Sequence, residues 1–167
     1  GQWTLVAVGA TLLIAGYHAL LLLGESDPAV TSAAAAVIVS LSPVLTTGFA
    51  RVFLPDERLT AVGVGVDGLG LLGVVVLARP APGALLAGGV VSNLLVFGAA
   101  TSFALGSVLT RWIDATPPIE TMDAWSMLGG ALLMHAISVA PGESVGDVTL
   151  AAEGPPPLAY PPLRATA

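Results

Sequence analysis

The sequence contains no cysteine and no lysine, and it carries few charges of either sign. Without cysteine there can be no disulfide, thiolate metal ligand or thiol nucleophile, and without lysine there can be no Schiff base to a cofactor such as retinal. Eleven acidic residues face five arginines, which gives a formal net charge of −6. This balance does not favour a nucleic-acid partner, because phosphate binding depends on basic residues.

Polar surface is scarce as well. Only 10% of the 167 residues are charged and 55% are hydrophobic, whereas about 25% of an ordinary soluble domain is charged. This composition excludes intrinsic disorder and cannot cover the outside of a soluble fold. We therefore expect a multi-pass protein of the plasma membrane, with the lipid bilayer as its first partner.

Five apolar segments are long enough to cross a bilayer as helices, which takes about 20 residues each. They lie at about 3–23, 29–54, 61–78, 84–110 and 120–140, with short turns rich in proline and glycine between them. Short turns favour antiparallel neighbours. The sequence thus predicts an all-α membrane bundle of five transmembrane helices, followed by a proline-rich, exposed tail over 151–167.

The arginines predict an orientation, because loops rich in arginine stay in the cytoplasm. Arg51, Arg58 and Arg111 lie near one end of the bundle, and Arg79 and Arg164 lie near the other. The majority places the 54–60 and 111–119 loops, together with the N-terminus, in the cytoplasm.

Small residues one helical turn apart predict where backbones approach closely, since lipid gives helices no hydrophobic reason to associate. The first segment has such a stripe and so does the fourth, while the third segment is rich in glycine. The stripes are Ala7, Thr11, Ala15 and Ala19 in the first segment, Gly98, Ser102 and Gly106 in the fourth, and Gly63, Gly65, Gly68, Gly70 and Gly73 in the third.

Three ionisable residues, His18, Asp67 and His135, are the candidates at membrane depth, where such groups are expensive and tend to mark function. His18 is expected to point into the bundle, either as a ligand or proton carrier or as a partner for a neighbouring helix. Asp67 shares a face with Gly63 and Gly70, and it either relays a proton or reaches a loop arginine or water. His135 has the same two interpretations as His18.

A proline interrupts the second segment. Pro43 removes one backbone hydrogen bond and frees a carbonyl one turn earlier, as in the broken helices that form transporter binding sites. The alternative is a plain kink stabilised by Ser40 and Ser42. Asn93, near the start of the fourth segment, either donates to a substrate or makes an interhelical contact. Together with His18, the residues Ser42, Pro43 and Asn93 are the candidates for substrate binding.

The sequence has no glycine-rich phosphate loop, no HExxH and no GxSxG motif. We therefore expect neither an enzyme nor a bound cofactor, and no metal site. Two other classes remain open. One is an electron carrier with haem held between His18 and His135, and the other is a membrane scaffold that transports nothing.

Three features resemble, in order, the first repeat of the EamA family of the drug/metabolite transporter superfamily. They are the mid-helix proline in 42–44, the acidic turn 54–60 and the glycine-rich span that ends at 73–77. The stretches 103–111 and 123–135 are similar to the first two helices of the second repeat. The resemblance covers about residues 3–150.

The resemblance implies a secondary transporter of small metabolites, with ten helices in two inverted repeats around a central cavity. Residues 1–79 would form the last three helices of the first repeat and residues 80–150 the first two of the second, so the other helices, or a second copy in a homodimer, would complete the cavity. Glu57 matches the glutamate at the cytoplasmic turn and would act as a gate or loop anchor. Asp67 replaces a usual apolar residue, which makes Asp67 and His135 the candidates for proton coupling.

Overall fold

The computed structural model describes residues 1–54, 60–79, 83, 89–113 and 118–139, and all regular structure in this part of the chain is helical. The all-α prediction is therefore confirmed. The helices, called first to fifth below, are Gln2–Glu25, Ser32–Phe53, Ala61–Ala78, Val90–Trp112 and Ile119–Val139.

The first four of these helices are long and apolar enough to cross a membrane. The fifth helix has the length but is less apolar, because it carries Glu120, Asp123 and His135. The structure therefore supports a membrane protein, with four helices among the described residues that could span the bilayer by length and composition. A fifth span and an inverted repeat remain predictions.

Threonine side chains begin two of the helices. Thr31 Oγ1 accepts a hydrogen bond from Ala34 N at 3.2 Å, and Thr60 Oγ1 accepts one from Gly63 N at 3.1 Å. Each hydroxyl satisfies an amide that has no partner in the first helical turn. The third helix ends at Arg79, whose backbone is left-handed (φ 41°, ψ 54°) and so turns the chain out of the helix.

The second helix breaks into Ser32–Val39 and Ser42–Phe53. Pro43 cannot donate to the carbonyl of Val39, four residues earlier. Ser42 Oγ donates to that carbonyl instead, at 2.6 Å, and Ser40 Oγ donates to Val37 O at 2.6 Å. The predicted break is present, and the two serines stabilise it as the plain-kink interpretation expected.

The fourth helix lies at the centre of the packing and contacts the first and second helices. Its buried side is made of small residues and valines, namely Val96, Ala99, Ala100, Ala104 and Val108, all fully buried. These side chains bring the neighbouring backbones close, which is how helices gain van der Waals contact in lipid.

The first and fourth helices run antiparallel. A Cβ atom added to Gly24 would lie 2.6 Å from Val96 Cγ2, one on Gly16 would lie 2.6 Å from Ser102 Oγ, and one on Gly106 would lie 2.9 Å from Leu12 Cβ. Ser102 Oγ also donates to the carbonyl of Leu12 at 2.9 Å. The predicted stripe Gly98, Ser102 and Gly106 therefore does face a neighbouring helix.

The fifth helix runs parallel to the first and packs against its N-terminal two thirds. Added Cβ atoms would lie 2.6 Å from Ser126 Oγ at Gly9, and 2.4 Å from Ile14 at Gly130. At the start of this contact Trp3 and Trp125 meet edge to face, with ring centroids 5.8 Å apart. Glycines thus create the close contact on both sides of the first helix.

The third helix is peripheral. It contacts the second helix only, among the helix pairs in substantial contact, and none of its residues is buried. Added Cβ atoms on Gly65, Gly68, Gly70 and Gly73 would meet nothing within 4 Å. The prediction that these glycines bring backbones together is not met in the described part of the chain.

The middle of the first helix, Gly9–Gly16, is π-helical and lies between α-helical Gln2–Val8 and Tyr17–Glu25. A π-helix bonds residue i to i+5, so the buried side advances from Ala10 to Ala15. The stripe predicted from α-helical spacing is therefore wrong in part: Ala15 is buried, but Ala7 and Thr11 are exposed.

We predict that Gly24→Ala destabilises the protein by about 1–3 kcal/mol, because overpacked positions must shift their neighbours. The added Cβ would also lie 2.9 Å from the backbone oxygen of Ser92, which cannot rotate away as a side chain can. Gly70→Ala is the matched control and should be neutral or stabilising by up to about 1 kcal/mol, through helix propensity alone. Unfolding in detergent, followed by circular dichroism, measures both, and equal effects would contradict the packing described.

Candidate functional site

A polar pair joins the second and third helices inside the apolar region. Thr47 Oγ1 donates to Asp67 Oδ2 at 3.0 Å, and both residues are half-buried. A hydrogen-bonded carboxylate within an apolar span is expensive to place there, and such groups tend to mark proton or substrate pathways. This pair is the strongest candidate site in the described residues.

The pair follows from the register of the helical hairpin. Thr47 lies six residues before the end of the second helix at Phe53, and Asp67 lies six residues after the start of the third helix at Ala61. In an antiparallel pair, positions equally far from the turn lie at equal depth. The sequence analysis did not predict a role for Thr47. Its position, as far from the turn as Asp67, indicates that the two residues face each other at the same depth.

Asp67 lies on the side of the third helix that packs on the second helix. The half-buried positions of the third helix are Asp67, Gly68, Leu71, Val74 and Ala78, whereas Gly63 and Gly70 are exposed. The third helix therefore docks mainly through Asp67 and aliphatic side chains, and Gly63 and Gly70, predicted to share a face with Asp67, do not take part.

Ser42 and Pro43 lie one helical turn before Thr47, so the break and the polar pair are close along one helix. Ser42 is buried, and its hydroxyl is occupied by the Val39 carbonyl. Pro43 is exposed. The break thus flanks the Thr47–Asp67 pair, and its own polar groups are satisfied within the helix.

His18 is exposed, and the prediction that it points into the bundle is wrong for the described residues. The π-helical segment before it shifts the register, so that a position inward by α-helical spacing faces outward. Its Nδ1 donates to the carbonyl of Ile14 at 2.8 Å, and its ring meets Tyr17 edge to face at 4.9 Å.

His135 is also exposed, on the fifth helix. Ala10 is level with Gly129 and Ile14 with Gly130, so the parallel helices bring His18 and His135 to similar depths. Among the described residues, no group of three or more His, Cys, Asp or Glu could hold a metal ion. Within the described part of the chain, the haem hypothesis therefore depends on these two histidines.

Asn93 lies in the first turn of the fourth helix, where it is half-buried and its backbone N–H donates to Gly89 O at 3.1 Å. This is the opposite end of the bundle from Asp67, so the predicted substrate residues do not form one cluster. Glu57, the predicted gate or loop anchor, lies outside the described residues, as do the repeat boundary at 80–82 and the tail 151–167.

An acidic side chain that the sequence analysis did not single out caps the fourth helix. Asp27, in the turn between the first and second helices, accepts from Gly89 N at 3.0 Å and Ser92 Oγ at 2.9 Å through Oδ2. Its Oδ1 accepts from Ala29 N at 3.0 Å. A carboxylate at this position satisfies free amides and meets the positive end of the helix.

The same contacts shift the acidity of Asp27. Hydrogen bonds from the backbone amides of Ala29 and Gly89, and then from the Ser92 hydroxyl, hold the pKa of the Asp27 carboxyl below its ordinary value of 3.8. They do so because each donor stabilises the charged form. The cap is therefore ionised at neutral pH.

The chain matches no family model, no curated protein and no solved structure. The likeness to the EamA family therefore stands on the residues quoted above, and membership of that family remains a prediction.

We predict that the cap contributes stability above the ordinary carboxyl pKa and loses it in acid. Because the folded-state pKa is lowered, the unfolded chain takes up a proton first, and stability falls as the pH drops below about 4. Melting temperatures in detergent between pH 7 and pH 3 should show this fall, and Asp27→Asn should make it smaller. Glu25→Gln, two residues away, is the control, and an equal effect from it would contradict the assignment.

Proposed function

We propose that this chain is part of a secondary transporter of small metabolites in the plasma membrane, working by alternating access. The observation that carries the proposal is the Thr47–Asp67 hydrogen bond inside two apolar helices, one turn from the helix break at Pro43. Secondary transporters combine broken helices with polar residues at membrane depth in this way.

In this proposal Asp67 is the coupling group. Its carboxylate lies between two helices that meet through few side chains, so a change in its protonation alters the Thr47–Asp67 hydrogen bond that joins them. His135 remains a second candidate for proton coupling, from the exposed side of the fifth helix. The cavity is completed by further helices of a longer chain or by a second copy.

The peripheral position of the third helix also supports the proposal, because alternating access needs a helix or group of helices that can move. The first, fourth and fifth helices are joined by glycine contacts and by the Ser102 hydroxyl bond, whereas no residue of the third helix is buried. Alternating access needs one group of helices to move against a more rigid group. The third helix fits the mobile role, whereas the second helix is packed on the fourth.

The test is uptake into proteoliposomes under an inward proton gradient. A ¹³C-labelled metabolite extract is offered, and the compounds retained are identified by mass spectrometry. We expect selected compounds to accumulate, and Asp67→Asn to reduce their accumulation to the level of protein-free liposomes. Accumulation that is the same with and without the protein would contradict the transport proposal.

Two variants make the test specific for Asp67. Asp123→Asn removes an exposed carboxylate from the fifth helix and should leave uptake unchanged. Thr47→Val keeps the side-chain shape but removes the hydroxyl donor, and it should lower uptake only in part. If Asp67→Asn keeps full gradient-driven uptake, transport can stand but Asp67 is not its coupling group.

One observation favours haem binding as a second candidate. Because His18 Nδ1 donates to the Ile14 carbonyl, its Nε2 is left as an acceptor, which is the usual arrangement of a metal-ligating histidine. His135 lies at similar depth on the parallel fifth helix. Protein reconstituted with haem should then show a Soret band that is lost in both His18→Ala and His135→Ala, and its absence would end this reading.

A further inference from the structure

All three tryptophans of the sequence lie at one end of the bundle. Trp3, at the start of the first helix, and Trp125, six residues after the start of the fifth helix, touch edge to face. Trp112 lies six residues beyond Gly106, which packs on Leu12. Six residues of helix rise about 9 Å, and the antiparallel first helix reaches about residue 6 over that distance, so Trp112 lies within about one helical turn of the level of Trp3.

The three rings are exposed, although indole is a large and mostly apolar group. Trp3 is 71% exposed, Trp112 59% and Trp125 47%. Tryptophan is enriched where the membrane meets water, because its ring prefers the hydrocarbon boundary while its N–H donates to headgroups or water. Three exposed rings within about one helical turn of one level therefore mark a depth in the bilayer.

The same end also carries cationic residues. Arg51 lies in the last turn of the second helix, and Arg111 in the last turn of the fourth. At the opposite end, Glu25 and Asp27 lie at the connection between the first and second helices, and Arg79 follows the third helix. No tryptophan lies at that end. The excess of arginine at the tryptophan end favours the cytoplasmic side, since acidic residues contribute little to this bias.

We propose that Trp3, Trp112 and Trp125 form a one-sided belt that seats the protein in the headgroup layer of the cytoplasmic leaflet. The partner of this surface is the lipid interface, in which the rings lie at the hydrocarbon boundary and the arginines meet lipid phosphates. The cleft between Trp3 and Trp125 has a volume of about 70 Å³. This is too small for a metabolite, whose pockets take about 300 Å³ or more.

The belt also gives a depth for the polar pair. The third helix starts at this end, and Asp67, six residues after Ala61, lies about 9 Å along the helix from that start. The carboxylate is thus closer to the cytoplasm than to the other side. The belt itself does not depend on transport.

Depth is tested with three variants that each keep one tryptophan, the other two being replaced by phenylalanine. They are placed in phosphatidylcholine and phosphatidylglycerol vesicles whose lipids carry bromine either near the headgroup or near the bilayer centre. We expect all three emissions to be quenched about twofold more by the shallow bromines. A tryptophan quenched more by the deep bromines, or by neither, would overturn the belt.

A depth control uses Phe103→Trp in the chain without other tryptophans. Phe103 is exposed midway along the fourth helix, so its indole should be quenched most by the deep bromines. Far-ultraviolet circular dichroism checks that each variant is folded, and only folded variants are compared. If this control is quenched like the other three, the quenching does not report a belt and the proposal fails.

Sidedness is tested with single cysteines, because the natural chain has none to interfere. Gln2→Cys lies at the tryptophan end and Ser26→Cys at the other, and both positions are exposed. With a membrane-impermeant maleimide, Ser26→Cys should be labelled in intact spheroplasts, and Gln2→Cys only after permeabilisation. The reverse pattern would overturn the cytoplasmic assignment.

Discussion

Close contact between the first and fourth helices is the constraint on which the other packing depends. Gly16 and Gly24 allow the backbone of the first helix to approach Ser102 and Val96, and the Ser102 hydroxyl donates to the Leu12 carbonyl across the contact. In lipid the gain comes from van der Waals contact and from such hydrogen bonds, because burial from water is absent. The fifth helix then packs on the free side of the first, and the second packs on the fourth.

Composition and spacing predicted much of this arrangement. The apolar runs predicted the helices, and the third helix has the predicted bounds of 61 and 78. The break at Pro43 and its two serines follow from the missing proline N–H. The stripe of Gly98, Ser102 and Gly106 faces a neighbour because α-helical spacing holds throughout the fourth helix.

The failures have one main physical origin, the change of helical period in the first helix. A π-helical segment turns less per residue than an α-helix, so predictions that crossed Gly9–Gly16 placed Ala7, Thr11 and His18 on the wrong side. Thr47 and Asp27 were missed for another reason. Their partners lie on other helices, and only the register of the hairpin or the approach of a distant helix end identifies them.

The Asp27 carboxylate accepts a hydrogen bond from the backbone of Gly89, 62 residues further along the chain. This bond closes a ring of the chain that contains the whole second and third helices. Within that ring the third helix has no buried residue. It packs on the second helix through half-buried side chains and the hydrogen bond from Thr47 to Asp67. It is therefore the element whose displacement breaks the fewest contacts. Because both ends of the ring are held at one carboxylate, a displacement of the third helix leaves the contact between the Asp27 turn and the start of the fourth helix in place.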